Sequence, residues 1–436
     1  MQITLRQRLE QFSHLNQTQL FDFLAQQAGA LSDKMRLLVS ALGMISLSRL
    51  LPPARGWKGR PAEDRQALAS AFLAKAILGL PTTRQLLDRL QADRTLRSLC
   101  GWNSVAAIPH ESTFSRAFAE FSQSELPQQL HQALIQNTYQ KDTPQDQLVG
   151  HIARDSTAIE VRERFPEQTE QRAARQKKHA HKKSTRTNKQ RAQKQLAAKP
   201  IAKRKRGRPK KSENALSGRR LPRQRRQTLE EMLSELPHDC SIGAKTSSKG
   251  HLHYWRGYKL HIDVADGQIP ISCVLTSASL HDSQVAIPLA TISAQRVTSL
   301  YALIVSGLPV GVCFANMDAA NDAKEIREHC ESLIQVPLID PVQRAVPITH
   351  RTQQDSLRGY DKRRKLPQTI PGKIPPFTTA QEERYKIRTM SERVNARVKD
   401  EFGGRTTRVR GASKVMAHLM FGILALTVDQ LLRLTG

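Results

Sequence analysis

The stretch VGVCFANMDAANDA, Val310 to Ala323, decides the fold. Val310–Met317 is a nearly continuous apolar run. A strand with no polar face is buried on both sides, the condition of a central strand in a sheet covered by helices. A single carboxylate, Asp318, stands at its C-terminal end.

Reading outward, Ala319–Glu331 has the pattern of a helix and Leu333–Ile339 that of another strand. Upstream, Leu252–Val264 and Ile269–Thr276 read as two strands joined at Asp266-Gly267, a dipeptide favoured in tight hairpins. A helix follows through Asp282–Ala294. Earlier still, Leu148–Ile159 reads as a strand carrying Asp155. A final helix is expected from about Thr379 to Glu401, closed by Gly403-Gly404. Three strands followed by alternating helix and strand is the order of an RNase H-like α/β fold. In that fold, acids at the ends of adjacent central strands approach a third acid on the last helix.

That last helix carries Tyr385, Arg388, Glu392 and Lys399. At about 100° per residue the four share an arc roughly 60° wide. A carboxylate flanked on one face by an Arg, a Lys and a phenol suits a site that holds a hard cation and a phosphodiester together. The plain alternative is a solvated face with an i, i+4 pair between Arg388 and Glu392. Asp155 before Ser156-Thr157, and Asp318 before a helix, likewise have plain readings as caps. Asp322 rivals Asp318, which is preferred because it directly abuts the apolar strand.

The spacing Tyr-x2-Arg-x3-Glu-x6-Lys resembles the signature of the DDE transposases of bacterial insertion sequences, in the branch named for those four residues. Tyr385–Gly411, YKIRTMSERVNARVKDEFGGRTTRVRG, is similar to that family's C-terminal block. DSTAIEVRERF from Asp155, ANMDAANDA around Asp318, and GYKLHIDVADG from Gly257 also match. The resemblance covers roughly residues 80–432, apart from a basic insertion, and four ordered motifs are far more specific than one.

The resemblance implies a DNA transposase that cuts at element ends and transfers strands into target DNA. Asp155, Asp318 and Glu392 would be its catalytic and metal-binding acids, with Mg2+ as the ion and Mn2+ as a substitute. Two ions about 3.5–4 Å apart activate the attacking oxygen and stabilise the leaving one. Tyr385, Arg388, Lys399 and Lys259 would contact DNA phosphates. The partner would be double-stranded DNA, the active complex a homodimer, and the location a bacterial cytoplasm at the nucleoid. The alternatives are a catalytically silent DNA-binding relative, or a nuclease of the same fold that never joins strands. One departure is plain: relatives that pass through a DNA hairpin use an aromatic residue, often Trp, between the second Asp and the Glu. The interval 319–391 contains no Trp.

Charge points the same way. The 436-residue chain has a formal net charge of +29, which implies a polyanionic partner. The excess is local: Gln171–Arg226 holds 23 Lys and Arg against the single acid Glu213. With few apolar residues and one charge sign, the insertion, placed at 166–230, is expected to lack fixed structure. Within it Arg206-Gly207-Arg208-Pro209 resembles an AT-hook core, with Arg206 and Arg208 reading a narrow minor groove. A polycationic linker that neutralises phosphates is the alternative.

Residues 1–147 read as an all-α N-terminal domain, and 148–436 as the catalytic domain that the insertion interrupts. Helices are expected over Leu31–Leu51, Ala62–Leu80, and from a Thr82 or Thr83 cap through Arg89. After a loop at Gly101–Pro109, Ser112-Thr113 should cap a helix bearing Phe114, Phe118 and Phe121. With Arg84, Arg89 and Arg116 exposed, this is either a helix-turn-helix DNA reader or a plain bundle packed on the catalytic domain. The five cysteines include no closely spaced pair, so a reducing compartment fits. His238, Cys240, His251 and His253 are poorly spaced for zinc. No charged start followed by an apolar core marks a signal peptide. Val415–Val428, interrupted by His418, is too short for a membrane span and reads as a buried C-terminal helix.

Overall fold

The computed structural model describes residues 31–51 except 46, 63–138, 150–163, 219–246, 251–297, 313–339 and 379–434, with isolated positions between 11 and 20. Its leading helices are α1 (Asp33–Met44), α2 (Arg65–Ile77), α3 (Thr83–Ala92), α4 (Arg94–Leu99), α5 (Glu111–Gln123) and α6 (Leu126–Thr138), with a further turn at Leu47–Leu50. Thr82 caps α3 by accepting the N–H of Gln85 at 3.2 Å. α5 begins before the expected Ser112-Thr113 cap, because the His110 imidazole takes the N–H of Ser112 at 3.2 Å. Arg84, Arg89 and Arg116 are exposed as expected.

The sheet has six strands: β1 (His151–Glu160), β2 (Ser241–Thr246), β3 (Leu252–Ala265), β4 (Ile269–Ser277), β5 (Cys313–Met317) and β6 (Gln335–Ile339). Its order is β2-β3-β1-β5-β6, with β4 also pairing to β3. β3 runs antiparallel to β1, with Asp155 opposite Ile262, and antiparallel to β4, with Leu260 opposite Leu275. β5 lies parallel to both β1 and β6. Counting only the five expected strands, the third, second, first, fourth and fifth lie side by side in an RNase H-like mixed sheet. The β3–β4 connection is a short turn with Gly267 at φ +74°. Its Asp266 carboxylate accepts the N–H groups of Gly150 and His151, each at 2.8 Å, and so anchors the start of β1.

The sequence reading missed β2. Its strand SIGAKT lacks a clean alternation, and Gly243 leaves room for the Trp255 ring on β3. Gly257, where β3 passes from β2 to β1, has φ +148°, and a Cβ there would strike the carbonyl oxygen of Ile159.

The end of the basic insertion is folded, contrary to expectation. α7 (Arg220–Gln224) and α8 (Leu229–Ser234) pack beside α9 (Ser283–Arg296) and α10 (Lys324–Ser332). Gln224 is buried and donates to the carbonyl of Gln284 at 2.9 Å, while Arg220 donates to the Gln284 side chain at 2.5 Å. Composition does not reveal that acceptors on α9 await these donors. Residues 164–218, with Arg206 and Arg208, lie outside the described residues.

The expected C-terminal helix is two: α11 (Thr379–Lys386) and α12 (Thr389–Asp400). Thr389 and Ser391 turn their hydroxyls onto the carbonyls of Lys386 and Arg388, at 3.0 and 2.8 Å, which competes with helix continuation. The expected helix after Asp318 is also divided, into a tight turn at Ala319–Asn321 and α10. The last helix, α13 (Ala412–Arg433), is the buried one anticipated, with 83% of its apolar window inside the protein.

Among the described residues, one apolar core runs across the expected boundary at residue 147. Phe72 on α2 lies 5.9 Å from Phe114 and 5.9 Å from Phe421 of α13, within one apolar cluster that also holds Ile262 and Leu260 of the sheet. The described helical segment is therefore a bundle packed around α13 that shares its apolar core with the sheet.

Candidate active site

Neighbouring side chains on a strand point to opposite faces, and β1 uses both. Arg154 faces α9. It holds Asp263 of β3 through two bonds of 2.7 Å and donates to the Ala286 carbonyl at 2.8 Å. Ser293 adds a 2.7 Å bond to the same carboxylate. Asp155 points the other way, where Asn395 of α12 donates to it at 3.0 Å.

β1 and β5 pair with Ala153 opposite Asn316. Two residues on, Asp155 and Asp318 stand side by side where β5 ends and β1 continues with β3 alone. Both line one cavity of about 10 Å³, at the strand edge where Arg154, Ser156, His261, Asp282 and Asn321 also contribute. That is room for about one water. Asn321 donates to Asp318 at 2.7 Å.

Burial pushes the Asp155 carboxyl above its ordinary range, and the charge of Asp318 adds to this. The Ser156 N–H, Arg388 and Lys245 oppose it. Burial likewise raises Asp318, with Asp282 as the next contributor. Two partly buried acids on adjoining strand positions resist ionising, and a divalent cation beside them would reverse that.

Glu392 lies on α12, one turn before Asn395. Its side chain is half exposed and accepts from Arg388 at 2.5 Å. Among the described residues no three His, Cys, Asp or Glu side chains are gathered as a ready metal site. The structure thus brings Asp155 and Asp318 together, with Glu392 on the helix beside them and turned to Arg388. The break between α11 and α12 leaves Tyr385 on α11, Arg388 at the junction, and Glu392 and Lys399 on α12. Even so, the Arg388 guanidinium lies 5.8 Å from the Tyr385 ring centre. Lys399 sits two turns beyond Glu392. Its ammonium is held below the usual lysine range by burial, with Arg405 next.

Lys259, expected on DNA phosphate, is committed elsewhere. Its Nζ donates to Asp282 at 2.9 Å and to the Leu280 carbonyl at 2.8 Å. Asp322 does not line the cavity and takes Arg327 at 3.0 Å, so the geometry favours Asp318 over its rival. Sequence reasoning missed Asp282, Asn321 and Asn395. Asn395 lies three residues after Glu392 on the same helical face, but a neutral amide carries no motif that a sequence shows.

A family model described as Transposase DDE domain matches residues 150–428. Another, described as Transposase domain (DUF772), matches residues 27–120. No curated protein and no solved structure matches the chain.

Proposed function

This chain belongs to the DDE transposases, and we propose that Asp155, Asp318 and Glu392 are its catalytic carboxylates. As an insertion-sequence transposase it acts on DNA, and the family's chemistry depends on divalent metal. The finer reading is that the metal is Mg2+, with Mn2+ able to replace it, and that these three acids hold it. The residues fit such an ion: the donors are hard oxygens, and two of the acids are partly buried, with carboxyls raised by that burial, so a cation would favour their ionisation. When bound, the ions supply Lewis-acid activation of the attacking oxygen and charge stabilisation at the leaving one.

The chain's own groups do the rest. Arg388 is within electrostatic reach of Asp155 and Asp318 while bonded to Glu392. A DNA phosphate arriving at Arg388 competes for that guanidinium and releases Glu392 toward the two strand acids. Tyr385 and Lys399 hold neighbouring phosphate oxygens. Water attacks phosphorus at the element end, the bond to the 3′ oxygen breaks, and that oxygen leaves as a hydroxyl. It then attacks a target phosphate and displaces a second 3′ oxygen. The active complex is a homodimer on two element ends, working at the nucleoid of a bacterial cytoplasm. The observation that supports this most is the placement of Asp155 and Asp318 at adjoining positions of β1 and β5, with α12 packed on β1.

The test is single-turnover cleavage of an end-bearing duplex. Asp155→Ala, Asp318→Ala and Glu392→Ala should each abolish cleavage and leave end binding measurable, whereas Asp322→Ala should be mild. Near wild-type cleavage by Glu392→Ala would remove Glu392 from the set, and loss of cleavage in Asp322→Ala would show that the wrong acid was chosen.

A further inference from the structure

Two asparagines stand against the two central acids in the same way. Asn395 donates from Nδ2 to Asp155 at 3.0 Å, and Asn321 donates from Nδ2 to Asp318 at 2.7 Å. Both are buried, at 6% and 3% exposure. An ionised carboxylate only accepts hydrogen bonds, so the amide nitrogen must face it and the amide oxygen points elsewhere. In both residues that Oδ1 is shut off from bulk solvent and has no hydrogen-bond partner among the described residues. Leaving a buried acceptor unmade is costly. Such an atom in a folded protein calls for an explanation, a water or an ion among them. Here there are two, one against each acid, and the cavity that Asn321 helps to line has room for about one water.

We propose that Asn321 and Asn395 belong to the divalent-cation site: each fixes one carboxylate through Nδ2 and accepts, at Oδ1, a hydrogen bond from a water carried by the cation. This rests on the reading that Asp155 and Asp318 hold that cation. The chemistry suits the ion, because Mg2+ dehydrates reluctantly and keeps several waters that need acceptors around them. Groups that orient the ligands of a metal from just outside its coordination sphere affect its affinity strongly. A neutral amide also suits the place. Asp282 already adds repulsion at Asp318, and a further carboxylate would add more.

The probe is Mn2+ titrated into the full-length protein. Binding is followed by the electron paramagnetic resonance of the free ion, and hydration by water-proton relaxation. Asn321→Leu and Asn395→Leu keep the branched outline of the side chain, at a larger volume, and remove both polar atoms. Each should weaken Mn2+ binding by about 10–100-fold and change the relaxation of the bound ion, with little change in melting temperature. Asn321→Ala and Asn395→Ala, which add no branched bulk, carry the same expectation if a Leu variant does not fold. Asp155→Ala, run in parallel, should remove most of the binding. Unchanged Mn2+ affinity in the asparagine variants, with binding lost in Asp155→Ala, would overturn the inference and leave the acids in place. Unchanged affinity in Asp155→Ala would overturn the reading beneath it.

Discussion

Replacing Arg388 with Gln separates the two roles its position allows. In the structure Arg388 bonds Glu392 at 2.5 Å, lies beside Tyr385, and faces two acids that burial makes reluctant to ionise. As a structural element it is weak. Glu392 is half exposed, so solvent and salt screen the pair, and an i, i+4 pair of this kind contributes about 0.3–0.5 kcal/mol. The folded state should therefore lose less than about 1 kcal/mol. As a phosphate ligand at the reacting centre it is strong. Loss of a charge-assisted contact that tightens in the transition state costs on the order of 2–4 kcal/mol, or a roughly 30- to 1000-fold slower step. The assay pairs thermal melting with single-turnover cleavage of a labelled end duplex, at enzyme concentrations that saturate binding. Lys399→Gln, measured alongside, should behave similarly. A large drop in melting temperature with normal cleavage by the folded fraction would return this face to a purely structural role.

Three further outcomes follow from particular contacts. Asp263→Asn leaves the buried Arg154 guanidinium without its charge partner and should destabilise by about 3–5 kcal/mol, whereas Arg154→Met with Asp263→Leu should recover most of that; equal urea midpoints for the single and double variants would refute the account. His418 is buried and its imidazole is lowered to about 4, so it stays neutral when folded and takes up a proton only on unfolding below about 6.5. Its contribution is complete above that pH and is lost as pH falls toward 4, with a slope up to roughly 1.4 kcal/mol per pH unit. His418→Leu should flatten the fall in unfolding free energy over pH 4–6.5, and an unchanged slope would rule the group out. Deleting Gln171–Arg226 should weaken DNA binding and flatten its dependence on salt, since fewer counterions are released; because Gln224 is packed on α9, a deletion ending at Gly218 is the control that leaves the fold intact.

Much of the catalytic architecture was legible from local pattern. The apolar run ending at Asp318 marked a strand buried on both faces, and the β3–β4 hairpin and the strand bearing Asp155 were placed within a few residues. Periodicity and punctuation are properties of a chain segment, and they survive folding when the segment's partners are helices and strands of ordinary geometry. The order of Asp155, Asp318 and Glu392 along the chain, with the text around them, was enough to reach the family.

What the sequence could not contain is the result of competition between distant groups. The break at Ile387–Arg388 depends on Thr389 and Ser391 bonding carbonyls that a continuous helix would use. Lys259 reads as a cation free for phosphate until α9 brings Asp282 within 2.9 Å. The tail of the basic insertion reads as solvated until acceptors on α9 receive Gln224 and Arg220. The N-terminal helices read as a separate domain until α13, from the far end of the chain, becomes the core they share. The amides beside Asp155 and Asp318 become visible only when their oxygens are seen to be buried and unpaired. Sequence specified most of the core strands and helices and which acids were available. The tertiary structure decided which charges are already spoken for, because a hydrogen bond or ion pair belongs to whichever partner the packing brings within 3 Å.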